Sequence, residues 1–96
     1  SEKFNQNNDI KLIANKTNIV LNDFIDLIKH DANHIYLVNK SAYEIMRIED
    51  FLYDVLLYFK TIKTVDPKHN LIINNEVVGL NYLNELIEMN YLKQII

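Results

Sequence analysis

Cysteine and tryptophan are absent from the 96-residue chain, and glycine, proline and arginine occur once each. Without Cys there is no disulfide, no thiolate metal site and no thiol nucleophile. Small secreted domains are commonly stapled by disulfides, so this absence gives the expectation of a reducing, cytoplasmic (intracellular) compartment. A single Gly excludes a Gly-rich phosphate loop and a Gly-x-Ser-x-Gly elbow. One Gly and one Pro also argue against a collagen-like chain or a turn-rich β-sandwich. No stretch approaches the ~18 uninterrupted apolar residues of a membrane span, and Ser1–Asp9 lacks the apolar centre of a signal peptide. No membrane partner is expected.

What is present is ordinary for a folded domain: 49% hydrophobic and 24% charged residues, with a net charge of −3. That composition excludes a disordered tail, and the size allows one modest core. The expected organisation is a flexible polar arm over residues 1–9 and a single domain over 10–96. The negative charge supplies no global attraction to nucleic acid or anionic membrane. Asn and Ile each occur 14 times, and Lys outnumbers Arg nine to one. These residues have AT-rich codons, which suggests an AT-rich genome such as that of a virus or phage.

Hydrophobic spacing predicts a mainly α, α+β fold: a long central helix packed with N- and C-terminal helices, plus a short β-hairpin or small three-stranded antiparallel sheet. Ile10, Ile13, Val20, Leu21, Phe24, Ile25, Leu27 and Ile28 have helical spacing, with Asn8 or Asp9 as N-cap and Asn33 as a left-handed exit. Residues 34–38 read as a short strand. Ser41 and Glu44 form a capping box, which starts a helix over 42–63. Ile45, Ile48, Leu52, Val55, Phe59 and Ile62 give that helix an a/d stripe. Leu71–Ile73 and Glu76–Val78 read as strands of a hairpin turning at Asn74-Asn75, and residues 80–96 as a last helix.

Chemical motifs are weak. Asp26, His30 and His34 stand four apart, as zinc ligands on a helix would. Glu49, Asp50 and Asp54 resemble a carboxylate cluster. Both are more simply solvated polar faces. Ser41, one of only two serines, is accounted for by capping. No catalytic residue, metal or cofactor is implied, and the expected protein is not an enzyme.

The apolar content exceeds what a thin domain can hide. The surplus falls on Tyr53, Leu57 and Tyr58 and on Tyr91, Ile95 and Ile96. Such a surplus on a folded chain marks an interface. The expected function is therefore a non-enzymatic protein–protein interaction module, dimeric, in the manner of a viral or phage adaptor or inhibitor that binds a host protein through an apolar helix face. The alternative is a winged-helix DNA-binding regulator. In it, the long helix breaks near 47–50 and Lys60, Lys63, Lys68 and His69 approach phosphates. Against it, the would-be recognition helix shows apolar rather than polar side chains.

Overall fold

The computed structural model describes residues 13–95; the expected arm, the N-cap at Asn8 or Asp9, and Ile10 and Ile96 lie outside them. The elements run β1 (Thr17–Leu21), β2 (Ile25–Asp31), β3 (His34–Asn39), β4 (Glu44–Arg47), α1 (Asp50–Tyr58), β5 (Lys63–Val65), β6 (Leu71–Ile73), β7 (Glu76–Val78), α2 (Leu80–Glu88) and β8 (Leu92–Ile95). Three antiparallel sheets result, ordered β5-β1-β8, β2-β3-β4 and β6-β7. Strand accounts for 42% of the described residues and helix for 22%. The expectation of a helix-dominated fold is overturned.

Each failed helix has an identifiable physical reason. Over 17–28, the chain alternates rather than winds. Ile19 and Leu21 are buried while Asn18 is exposed, which is the period of a half-buried strand. Asn22 then accepts a hydrogen bond from the Ile25 amide (3.1 Å), closing a tight turn into β2. The exit at Asn33 is built by Asp31 instead. Its carboxylate accepts the Asn33 amide at 2.8 Å, and Asn33 is not among the described residues with positive φ. The short strand expected at 34–38 is present as β3.

The helix expected over 42–63 is divided among β4, α1 and β5. Its capping box does not form, because the Asn39 side chain caps a turn there first. The Asn39 carboxamide oxygen accepts the amides of Ser41 and Ala42, both at 3.0 Å. Tyr43 then adopts a φ of 56°, incompatible with a right-handed helix, and Glu44 enters β4. The break falls where the alternative reading placed it: Ile48 donates its amide to Ile35 (2.9 Å), extending the ladder, and α1 begins at Asp50. After nine residues the helix yields again. The Phe59 carbonyl accepts the Leu21 amide of β1 at 2.7 Å, and Lys63–Val65 pairs with β1.

The last helix stops at Glu88 for a similar reason. Asn90 has a φ of 65°, the Asn90 amide donates to Ile87 and the Tyr91 amide to Leu86, both at 3.0 Å. This is a Schellman termination, with Asn in the left-handed position that glycine usually takes. Residues 92–95 are thereby freed to pair with β1. The hairpin does form as expected: Asn74 and Asn75 have φ of 52° and 67°, the two positive values that a type I′ turn requires.

The core draws on both three-stranded sheets, the hairpin and both helices. Ile19, Leu37, Val55, Leu56, Phe59 and Leu83 have no exposure at all. Burial of each such side chain contributes about 1.5–3 kcal/mol before entropy is counted. The predicted a/d stripe is only half right. Val55 and Phe59 are buried and Leu52 is partly so, but Ile45 is 73% exposed and Ile62 57% exposed.

A candidate protein-interaction surface

The meander β2-β3-β4 has one face covered and one face open. In an antiparallel sheet, residues opposite one another share a face. The register sets Leu27 opposite Leu37 and Met46, and Ile25 opposite Asn39. Ile25, Ile35, Leu37 and Asn39 are buried, and Leu27 and Met46 pack on the core. This inner face is held to α1 at its end. The Lys29 ammonium donates to Asp50 at 3.0 Å and lies 5.2 Å from the centre of the Tyr53 ring. The Asp50 bond raises the Lys29 pKa above its ordinary value.

The other face carries two cross-strand rows: Asp26, Val38 and Ile45, then Ile28, Tyr36 and Arg47. Ile45 is 73% exposed and Ile28 40%, while Tyr36 and Val38 are half-buried. His30 stands beside Tyr36, ring edge toward ring, at 6.5 Å. The central strand thus reads Ile35-Tyr36-Leu37-Val38, apolar on both sides. Strands covered on both faces have such continuous runs, and here only one face is covered. The apolar rows are flanked by charge. Asp26 pairs with Lys40 at 3.5 Å, both about half exposed. Arg47 makes no ion pair among the described residues.

The interface residues expected from the sequence are scattered. Leu57 is 43% exposed on α1. Tyr53 is half-buried beneath Lys29, and Tyr58 is half-buried with its ring edge-on to Phe59 and Lys63 5.0 Å above it. Ile95 is half-buried in β8. Tyr91 is only 6% exposed and belongs to the core, its hydroxyl donating to the Met46 sulfur at 3.5 Å. The outward residues Ile28, Tyr36, Val38 and Ile45 were missed because Ile28 and Ile45 fit helical spacing. The available signal was the four-residue apolar run of β3.

Of the basic residues in the alternative reading, Lys60 and Lys68 are exposed, and Lys63 covers Tyr58. His69 is held to Asp66 at 3.1 Å. Residues 44–47, which the winged-helix reading needs in the first helix of its pair, form β4 instead. The candidate zinc ligands separate as well. Asp26 and His30 lie on β2, whereas His34 on β3 bonds Asp31 at 2.8 Å. Of the acidic cluster, Asp50 is engaged by Lys29. Among the described residues no group of three or more His, Asp or Glu could hold a metal, and no helix is long and apolar enough to cross a membrane.

An open hollow of about 700 Å³ lies between the β3–β4 turn and the α2–β8 turn. Its amides already hold turns: Asn39 as above, and Asn22 by donating to the Asn90 carbonyl. No family model, curated protein or solved structure matches the chain.

Proposed function

We propose that the chain is a non-enzymatic protein–protein interaction module whose working surface is the open face of β2-β3-β4. The observation that supports this reading is the central strand, apolar on both sides but covered on one. Leaving Ile28, Tyr36, Val38 and Ile45 toward water forgoes burial worth about 25 cal/mol per Å². A protein partner seated there recovers it. The binding element is a sheet face and not the apolar helix face expected from the sequence, because α1 uses Val55 and Leu56 for the core.

The test is a photo-crosslinking residue in place of Ile45, compared with one in place of Glu76 on β7. Adducts of protein mass from position 45 alone are expected. Adducts with nucleic acid, or equal labelling at both positions, would overturn the reading. Duplex DNA that binds at about 50 mM salt and is released by a Lys60/Lys63/Lys68→Ala triple variant would favour the DNA-binding alternative.

A further inference from the structure

We infer that the occupant of the open β2-β3-β4 face is a second copy of this chain, docked by a two-fold axis that pairs Arg47 of each copy with Asp26 of the other. This rests on the reading of that face as a protein-binding surface and adds the partner. The argument is the placement of charge. On the open face Asp26 and Arg47 occupy opposite corners of the two cross-strand rows, on the two outer strands. Ile28 and Ile45 occupy the other two corners, and Tyr36 and Val38 lie between.

A closed dimer uses the same patch on both subunits, so a patch suits it only if it complements itself. A single-sign rim would repel its own copy. This rim carries both signs: Asp26, with Lys40 beside it, at one corner and Arg47 at the corner diagonally opposite. Consider an axis lying between two such faces, perpendicular to the line from Asp26 to Arg47. It exchanges those two corners and brings each carboxylate beneath a guanidinium. The same operation sets Ile28 near its own counterpart and Ile45 near its own. With strands about 4.8 Å apart and alternate residues about 6.8 Å apart along a strand, the sheets cross steeply, in the orthogonal class of sheet packing.

Arg47 is suited to the contact. It is exposed, makes no ion pair among the described residues, and its planar fork matches a carboxylate. Asp26 holds Lys40 only at 3.5 Å, with both side chains largely in water. Exposed pairs of that kind are weak and readily exchanged. The apolar centre is small, so the dimer is expected to be of the weak, transient class, with dissociation in the range of about 10–100 µM.

The experiment is sedimentation equilibrium of the whole chain across that range, with circular dichroism to confirm folding. Ile45→Asp removes an apolar corner and sets a carboxylate near its own counterpart across the axis, and should weaken association by about tenfold or more. Arg47→Asp and Asp26→Arg should each weaken it by about tenfold, because each sets like charges together twice per dimer. The combined Asp26→Arg/Arg47→Asp variant restores opposite charges at both contacts and should return to within about threefold of the original. These sites are exposed, so the variants should fold.

A monomer at all concentrations, or a combined variant no better than the worse single one, would overturn the second copy as occupant. If the residue at position 45 still crosslinks a different protein, the interaction surface stands and only its occupant changes. If it crosslinks no protein, both readings fall together.

Discussion

The two three-stranded sheets differ in how the chain makes them. Sheet β2-β3-β4 is a meander within residues 25–47, each strand paired to its neighbour in sequence. Sheet β5-β1-β8 is collected from three distant places: β1 pairs Thr17 with Val65 on one side and Asn18 with Ile95 on the other. The first sheet needs only short turns, whereas the second needs closure of long loops before any of its hydrogen bonds can form. Both sheets line the core, the local one with Ile25 and Leu37 and the non-local one with Ile19 and Leu21, and the local sheet also leaves an apolar outer face open. The sheet with the greater closure cost is therefore the one collected around the core from distant segments, while the meander, which needs only short turns, both lines that core and presents an outer apolar face.

The largest test of this contrast substitutes one buried leucine in each sheet. Leu37 on β3 and Leu92 on β8 are 0% and 1% exposed. Each change to Ala should cost about 2–5 kcal/mol by denaturant titration. The kinetics should differ. Leu37→Ala should mainly slow folding if the meander forms early, and Leu92→Ala should mainly speed unfolding if β8 docks late. Equal partition of both between the two rates would break the comparison.

A smaller effect is expected at the other local unit. Asn75 sits at a φ of 67°, which a β-carbon tolerates poorly. Asn75→Ala should cost about 1 kcal/mol, whereas Asn75→Gly should be neutral or stabilising by about 0.5 kcal/mol, read as a shift in melting temperature. A larger loss for Gly than for Ala would show that the Asn75 side chain, and not its backbone, holds the hairpin.

The smallest effect concerns two turns of one design, one in each half of the chain. Asp31 and Asp66 each accept the amide two residues on and the histidine ring three residues on. Both carboxyls are held below the ordinary aspartate value, Asp31 chiefly by the His34 bond and Asp66 chiefly by the Lys68 amide. A lowered folded-state pKa contributes stability above the unfolded value, and that stability is lost as pH falls through the lowered one. An Asp31→Asn/Asp66→Asn variant should therefore melt slightly lower at neutral pH, with the difference shrinking below about pH 4. A difference that grows with acid would contradict the assigned bonds.

Several pieces of this architecture are legible without coordinates, and all of them are local. Asn74-Asn75 between two β-branched runs specifies the hairpin, since two adjacent Asn tolerate the positive φ of its turn. Residues 34–38 read as a strand from composition and length. The break before Asp50 is visible as an alternative. The interaction surface was misplaced because Ile28 and Ile45 fit a spacing of three and four as well as a spacing of two. Tyr91 looked like surplus because the Met46 that receives its hydroxyl lies 45 residues away in sequence.

Composition by itself determined that the chain folds around a single core without disulfides and holds more apolar surface than that core hides. Local chemistry at Asn39, Asn74 and Asn90 determined where three turns fall, because an Asn can cap a turn or take a left-handed φ with no help from afar. Only the tertiary structure decided between helix and strand over 17–28, 44–47, 63–65 and 92–95. These segments have apolar residues that suit either period, and helix propensity differs from strand propensity by only about 1 kcal/mol per residue or less. A strand also needs a neighbour, which for β1 is found 44 residues or more along the chain. No periodicity within a short window records that neighbour, and the hydrogen bonds it supplies outweigh the local preference.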